Sequence, residues 1–447
     1  MSDATLIIGG GFAGLATAVD LAAAGRRVLL LERRAFLGGR AYSYTDRVTG
    51  DTVDNGQHLM MGCYHQTLDF LARIGSTDKL KLQASPRVDF MHPHEGSASF
   101  QCPALPAPLH LLAGLARLQT IGWRDRLRAL LVGIEMRSLN GNRARLADIT
   151  VGQWLCEMGQ TDRMQERFWD LVALATLNEH PETASADMFA EVIERAFMRT
   201  RRDSAMLISR VGLSDLYTHD ARAYIEARGG HVQMNTTVQR IEIDGARAHG
   251  VTLANGEFLP AATMVSAVPY FALKTMLPDD IIQADTQLRH IAGFRSAPIV
   301  SINLWYEQPV MEQEFAGLLE SRIEWIFNKN AIAGVPQTGR QHLALVISGA
   351  HAAAKLTKEQ LTALAITEME RFFPAARRQK PLHAVVIREH DATISHTPGT
   401  ARQRPSQKTS IAGFYLAGDW TATGLPATIE GAVWSGQECA RLILAKG

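Results

Sequence analysis

The stretch from Thr5 to Arg40 constrains this 447-residue chain more than any other part of its sequence. The apolar run Thr5–Ile8 predicts a buried parallel strand, and Gly9, Gly11 and Gly14 after it satisfy the pattern G-x-G-x-x-G. In a strand–turn–helix unit these glycines permit the tight turn, the approach of a pyrophosphate and the close packing of the helix. The pattern therefore predicts a dinucleotide site; the alternative is an ordinary glycine-rich turn.

The residues after the glycines complete the predicted βαβ unit. A helix is expected up to Ala24, because Gly25 suits the end of a helix. A second strand is expected from Arg27 to Leu31, and Glu32 follows it at the place where an acidic side chain accepts hydrogen bonds from an adenosine ribose. The predicted dinucleotide contacts in this unit are Gly9, Gly11, Phe12, Ala13, Gly14, Glu32 and Arg33.

The composition is that of a soluble globular protein with more than one domain. The chain is 46% hydrophobic and 20% charged, and its formal net charge of +1 gives no reason to expect a nucleic-acid partner. The four cysteines show no C-x-x-C pairing, so we expect neither a disulfide framework nor a metal site. The first predicted strand begins near residue five, which leaves no room for a signal peptide, and we expect a cytoplasmic protein.

Two further segments are expected to contact the cofactor. Gly39 lets the backbone pass close to a ligand, and Arg40 is suited to bind a phosphate; the alternative is a surface turn. Gly56, Gln57 and His58 belong to a polar cluster that we expect to lie along an isoalloxazine ring, and the alternative for that cluster is a turn that caps a helix.

The C-terminal segment distinguishes between dinucleotides. Gly418 and Asp419 end a predicted strand, which places a short acceptor beside the hydroxyls of a ribityl chain. Ala427, Thr428 and Ile429 open the last predicted helix, and the N-terminus of a helix favours negative charge. Reduced flavin carries such charge at N1 and O2, whereas nicotinamide does not. The segment therefore favours FAD over NAD.

These motifs resemble those of the amine oxidase and phytoene desaturase superfamily of flavoproteins. The resemblance implies a Rossmann-like α/β FAD-binding domain interleaved with a mixed α+β substrate domain, and it implies that backbone around Val238 contacts the adenine. On this basis we assign 1–95, 207–285 and 396–447 to the FAD-binding domain. The range 96–206 is assigned to a helical, membrane-facing part of the substrate domain, and 286–395 to its second part.

Several longer segments resemble the hydroxysqualene dehydroxylases, also called squalene-associated FAD-dependent desaturases, of bacterial hopanoid synthesis. They are DNGQHLMMGCY, LPAPLHLLAGL, LATLNEHPETASA, TPGTARQRP and LAGDWTATGLPATIEGAVWSG. The resemblance implies reductive removal of the allylic hydroxyl of hydroxysqualene, which yields squalene. The reaction leaves FAD oxidised, so an electron donor must reduce it again. The sequence does not identify that donor.

Removal of a hydroxyl requires a general acid, because hydroxide is a poor leaving group. The acidic and histidine side chains near the predicted flavin segments are the candidates, and His58 is preferred because it follows the predicted flavin loop. The candidates are His58, Asp54, His390, Asp391 and Glu430.

Two other functions remain open at this point. A carotenoid-type desaturase uses nearly the same site but moves hydride from a hydrocarbon to oxidised FAD. A non-catalytic carrier of prenyl lipids on the same fold has no need of the flavin-contacting C-terminal helix.

The region 105–145 combines apolar helical periodicity with seven arginines and two acids. Leu111, Leu115 and Leu118 recur at helical spacing, and Trp123 lies among basic residues. This pattern predicts peripheral docking on the inner face of an anionic membrane. The alternative is a group of substrate-domain helices whose arginines are solvated.

Overall fold

The computed structural model describes residues 4–139, 143–336 and 338–446. The region 105–145 thus includes three residues, 140–142, outside the described part. The strands are, in chain order, β1 (Thr5–Ile8), β2 (Val28–Leu31), β3 (Ser43–Thr45), β4 (Thr52–Asp54), β5 (Leu59–Met61), β6 (Leu80–Leu82), β7 (Arg87–His92), β8 (Gly96–Gln101), β9 (Met206–Ser209), β10 (His231–Gln233), β11 (Val238–Asp244), β12 (Arg247–Leu253), β13 (Phe258–Pro260), β14 (Met264–Ser266), β15 (Ser296–Tyr306), β16 (Phe315–Leu318), β17 (Trp325–Asn328), β18 (Gln341–Ile347), β19 (His383–Ile394) and β20 (Phe414–Leu416).

The α-helices alternate with these strands at both ends of the chain and cluster between β8 and β9. They are α1 (Phe12–Ala23), α2 (His65–Arg73), α3 (Leu109–Arg117), α4 (Trp123–Leu139), α5 (Val151–Glu157), α6 (Asp162–Met164), α7 (Asp170–Leu177), α8 (Ala186–Ile193), α9 (Leu213–Glu226), α10 (Tyr270–Met276), α11 (Asp279–Ala284), α12 (Lys329–Ala333), α13 (Lys358–Phe372), α14 (Thr400–Gln403) and α15 (Ile429–Leu444).

A five-stranded parallel sheet with the order β10-β2-β1-β14-β20 forms the first unit. Strands β1, β2, β14 and β20 are mostly apolar and buried, as expected for a parallel sheet covered on both faces, whereas the edge strand β10 has two exposed polar residues. Because all of them run in one direction, the residues that follow their carboxyl ends meet at one edge. This arrangement confirms the α/β class predicted from the glycine motif.

Helices α1 and α15 pack closely although they lie at opposite ends of the chain. A Cβ added to Gly436 would lie 2.3 Å from the carbonyl oxygen of Ala13, so glycine is required at this crossing. The Thr17 hydroxyl donates to the carbonyl oxygens of Ala13 and Gly436, at 2.9 and 3.0 Å. The N-terminal and C-terminal segments therefore belong to one unit.

A seven-stranded sheet with the order β19-β15-β18-β17-β16-β7-β8 forms the second unit. Its neighbouring strands are antiparallel except β16 and β7, which are parallel. Apolar side chains of this sheet, including Phe90 and Trp325, share a core with the helical region between β8 and β9. Leu361 and Met369 of α13 pack with residues of β15 and β18 in a separate core.

Strand β7 joins the second sheet earlier in the chain than the sequence indicates. It pairs with β8, with Val88 opposite Phe100, and it pairs with β16 through Phe90 and Gly317. The predicted boundary after residue 95 thus lies inside a hairpin of the second sheet. Hydrophobic periodicity does not locate the boundary between the two units, because short strands occur on both sides of it in the sequence.

Candidate functional site

A cavity of about 890 Å³ begins at the carboxyl edge of the parallel sheet and continues into the helical region of the second unit. Its first half is polar and is lined by residues from almost every segment that the sequence predicts to bind the cofactor. The predicted contacts that line it are Gly9, Gly11, Phe12, Ala13, Glu32, Arg33, Gly39, Arg40, Gly56, Gln57, His58, Val238, Gly418, Asp419, Ala427, Thr428 and Ile429. Gly14 lies behind this surface, where α1 meets β1.

Two glycine turns form a cradle at the start of the cavity. Gly9 has φ +107°, and a Cβ on Gly14 would lie 2.0 Å from the Gly9 carbonyl oxygen. A Cβ on Gly39 would lie 3.1 Å from the Cα of Gly11, so the two turns touch through bare backbone. Within the described residues, the N–H groups of Gly11 and Phe12 donate to no acceptor. The cradle fits the pyrophosphate of a dinucleotide.

Glu32 ends β2 and is held in place by backbone donors. Its Oε2 accepts a hydrogen bond from the N–H of Gly10 at 2.8 Å, and its Oε1 accepts one from the N–H of Arg34 at 2.9 Å. Each carboxylate oxygen can accept a further hydrogen bond, and Glu32 lines the cavity, so the carboxylate suits a ribose hydroxyl. The predicted role of Glu32 is compatible with this geometry.

Arg40 and Asp419 meet at the middle of the cavity, which we call the waist. The Arg40 Nη2 lies 2.5 Å from Asp419 Oδ1, and its Nη1 donates to the carbonyl oxygen of Ala392 at 2.7 Å. The carboxylate of Asp419 and the nearby carboxylates of Glu389 and Asp391 raise the pKa of Arg40, against the effect of burial. Arg40, which the sequence predicts to bind a phosphate, and Asp419, which it predicts to bind the ribityl chain, thus form an ion pair with each other in this structure.

The start of α15 lies against the waist. Thr428 caps the helix, since its hydroxyl accepts a hydrogen bond from the Gly431 N–H at 3.2 Å. The N–H of Ala427 donates to Nε2 of His396 at 2.7 Å. His396 is fully buried and was missed by sequence reasoning, because nothing local to it signals a contact with a helix about thirty residues later in the chain.

Three of the five candidate acids are placed unfavourably for catalysis. Both carboxylate oxygens of Glu430 accept hydrogen bonds from the first turn of α2, from the N–H groups of Gln66 and Thr67 and the Thr67 hydroxyl. Asp54 accepts from the Leu213 N–H at 3.0 Å and pairs with Lys329 at 2.6 Å. His390 is exposed and does not line the cavity. Glu430 and Asp54 therefore have structural partners.

The other two candidates, His58 and Asp391, line the waist. Burial lowers the pKa of His58; the nearby Asp54 carboxylate opposes this shift, and the Arg40 charge adds to it. Glu389 and Asp391 of β19 both line the cavity, and both carboxylates act on the charge of Arg40. Glu389, which sequence reasoning missed, accepts a hydrogen bond from Asn55 Nδ2 at 3.2 Å.

Beyond the waist the cavity is apolar. Its wall combines side chains of the helical region with side chains of the second sheet, such as Phe168, Trp169, Trp325 and Phe327. No group of three or more His, Cys, Asp or Glu side chains is arranged to hold a metal ion in the part of the chain that the structure describes. The site therefore offers a polar half for a dinucleotide and an apolar half for a lipophilic molecule.

Comparisons with known proteins cover nearly the whole chain. The family model described as flavin containing amine oxidoreductase matches residues 12–444. The chain is 29% identical over 465 residues to the hydroxysqualene dehydroxylase of Rhodopseudomonas palustris, covering 100% of both proteins. It is 25% identical to the 15-cis-phytoene desaturase of Synechococcus elongatus, over 98% of this chain and 95% of that protein. The solved structure of an oxidoreductase from Methanosarcina mazei superposes with a TM-score of 0.78 at 17% identity, over 98% of this chain and 99% of that one.

We expect Gly11→Ala to fold normally but to retain FAD poorly. A Cβ at Gly11 would meet no protein atom closer than 3.7 Å, yet the methyl group would stand at the cradle where a pyrophosphate approaches the backbone. The affinity for FAD is expected to fall at least about tenfold, which corresponds to about 1.4 kcal/mol. Titration of the apoprotein with FAD measures it. Gly293→Ala is the matched control, because a Cβ there has no neighbour within 4 Å. Unchanged affinity in Gly11→Ala would contradict the cradle assignment.

Proposed function

We propose that this chain, which belongs to the flavin-containing amine oxidoreductase family, uses FAD to remove the allylic hydroxyl of hydroxysqualene reductively, which yields squalene for hopanoid synthesis. Family membership makes it a flavin-dependent oxidoreductase. The observation that carries the proposal is the continuity of the glycine cradle with an apolar compartment. The full-length similarity to a hydroxysqualene dehydroxylase supports the choice of substrate.

The proposed reaction combines proton donation with hydride addition at an allylic carbon. A proton moves to the hydroxyl oxygen, the C–O bond breaks with its electron pair on oxygen, and water leaves. Reduced FAD, when bound, supplies the hydride that completes the new C–H bond. The apolar walls around Trp169 and Phe327 bind the isoprenoid chain and exclude water from the cationic carbon.

We place proton donation at His58, which lines the waist between the cradle and the apolar compartment. Because burial lowers the pKa of His58, its imidazole is mostly neutral at pH 7, and the small protonated fraction is a stronger acid than an exposed imidazolium. Asp391 is the alternative donor, since it lines the same waist. Substitution of each residue in turn distinguishes the two assignments.

The competing function is desaturation of a phytoene-like hydrocarbon. The similarity to 15-cis-phytoene desaturases over 98% of this chain supports it, and the same cavity suits such a substrate. Hydride then moves in the opposite direction, so the redox state of the flavin that reacts with substrate discriminates between the two. A non-catalytic lipid carrier is disfavoured by membership in an oxidoreductase family.

We further propose that α3 and α4 dock on an anionic lipid surface through which the substrate enters. Leu115 and Val132 point into the core, whereas other apolar side chains of these helices and their flanks are exposed: Leu105, Leu109, Leu112, Trp123, Leu127, Leu131 and Ile134. Leu112 and Ile134 are exposed and also line the cavity, so the apolar compartment reaches the surface between the two helices.

The charges around this surface suit anionic headgroups. Arg117, Arg124 and Arg137 are exposed there, whereas Arg143 pairs with Glu191 and Arg145 pairs with Glu135 and Glu157. None of the helices in the described residues is long and apolar enough to cross a bilayer. Exposed apolar side chains beside arginines on helical faces are the pattern of a protein that binds a membrane surface.

The central prediction concerns an anaerobic single turnover. With the bound flavin reduced chemically, addition of hydroxysqualene is expected to restore the oxidised flavin spectrum and to yield one squalene per flavin. The spectrum and the extracted lipids are measured together. If the flavin stays reduced and squalene is absent, while oxidised enzyme reacts with a phytoene-like hydrocarbon, the desaturase replaces the dehydroxylase.

The proton donor is tested by the pH dependence of that turnover. If His58 is the donor, the rate constant rises as the pH falls from neutral and levels off only at a pH below the ordinary imidazole range, because burial lowers the pKa of His58. His58→Ala is expected to lose on the order of 10²-fold in rate and to lose this pH dependence. Asp391→Asn, at the same waist, is the comparison. Loss of rate in Asp391→Asn with full turnover in His58→Ala assigns the proton to Asp391 instead.

Docking is tested by sedimentation with liposomes that contain phosphatidylglycerol, at low salt. The wild type is expected to pellet, and Leu127→Glu is expected to remain largely in the supernatant, because a carboxylate disfavours both the apolar and the anionic parts of the surface. Leu382→Glu is the control, since Leu382 is 60% exposed and lies outside the α3–α4 surface. Failure of the wild type to pellet would refute docking, and equal loss in both variants would refute its location.

A further inference from the structure

Arg404 lies buried behind the segment between β20 and α15 that lines the cavity. Its Nη2 donates to the carbonyl oxygen of Asp419 at 2.7 Å and to the hydroxyl of Thr423 at 3.2 Å. Its Nη1 donates to the carbonyl oxygen of Leu425. The guanidinium thus holds both ends of residues 419–425, and Gly418, Asp419 and Trp420 line the cavity directly in front of it.

In the described part of the chain, no carboxylate is in contact with the guanidinium of Arg404. Within the described part of the chain Arg404 forms no ion pair, because the carboxylate of Asp419 binds Arg40 instead. The Arg404 side chain is 6% exposed, and its Nε has no hydrogen-bond partner. Burial lowers the pKa of Arg404 to about 10, which still leaves it positively charged at neutral pH.

His396 lies beside Arg404 and contributes no charge. Its Nε2 accepts the N–H of Ala427, so its proton resides on Nδ1, which has no partner. Burial, and to a smaller degree the charge of Arg404, lowers the pKa of His396 to about 3. Behind residues 418–428, the guanidinium of Arg404 therefore carries positive charge beside a neutral imidazole.

We propose that Arg404 raises the reduction potential of the bound flavin by holding a buried positive charge, in contact with no carboxylate of the described residues, behind residues 419–425. This inference rests on the proposed function only in requiring that a flavin occupies the cavity. Two-electron reduction adds negative charge to the flavin ring, and a positive charge held in a water-poor interior attracts it strongly. Since the same guanidinium also fixes the backbone of the segment, Arg404 is a positioning residue with an electrostatic effect.

The test is a redox titration of the flavin-loaded protein in three variants. Arg404→Met removes the charge and keeps an apolar stem, Arg404→Lys keeps the charge, and Arg402→Met is the matched control. Arg402 belongs to the same TPGTARQRP segment but is exposed and pairs with Asp148. At a fixed ambient potential, the ratio of reduced to oxidised flavin is expected to fall at least about tenfold in Arg404→Met, a shift of about 30 mV for two electrons. Arg404→Lys and Arg402→Met are expected to stay near the wild type.

Two results would overturn the proposal. One is an unchanged potential in Arg404→Met; the other is an equal fall in Arg404→Met and Arg404→Lys, which would assign the effect to backbone geometry alone. If Arg404→Met does not fold, Arg404→Gln removes the charge and keeps donors for the carbonyl groups. The titration needs no hydroxysqualene, so it stands apart from the turnover result, and a protein that takes up no FAD refutes the proposed function instead.

Discussion

The contact between two bare backbone turns is the constraint on which the rest of the structure depends. A Cβ at Gly14 would collide with the carbonyl oxygen of Gly9 at 2.0 Å, and Gly39 combines a φ of +60° with a tight approach to the Cα of Gly11. These approaches place the start of α1 at the carboxyl edge of the parallel sheet. Gly436 then lets α15 pack on α1, so the C-terminal segment reaches the same edge. The dinucleotide half of the cavity is built from these contacts.

The waist separates the polar half of the cavity from its apolar half. Arg40, Asp419, Glu389 and Asp391 concentrate charge where the polar half ends, and the wall beyond them is apolar. A lipophilic substrate gains free energy by leaving water for the apolar half. The proposed reaction places the reactive carbon of that substrate beside the charged groups of the waist. The exposed apolar surface of α3 and α4 extends the apolar half to the protein surface.

The elements whose residues are contiguous in sequence were predictable. Strand β1 and helices α1 and α15 follow from apolar periodicity and from the glycines beside them. The roles of individual side chains were less predictable from the sequence. Glu430 binds the start of α2, Asp54 pairs with Lys329, and Arg40 pairs with Asp419. Each partner lies far away in the sequence, so no local pattern predicts the contact.

The sequence by itself determined the α/β class, the glycine cradle and the segments that line the dinucleotide half, because glycine spacing and strand periodicity act within a few residues. Only the tertiary structure decided which carboxylates are structurally engaged, that Glu389 joins Asp391 at the waist, and that Arg404 and His396 lie behind residues 418–428. The physical reason is that desolvation and charge pairing depend on the groups a fold brings together. Those groups come from segments that lie from about fifteen residues apart, as Arg404 and Asp419 do, to several hundred, as Arg40 and Asp419 do.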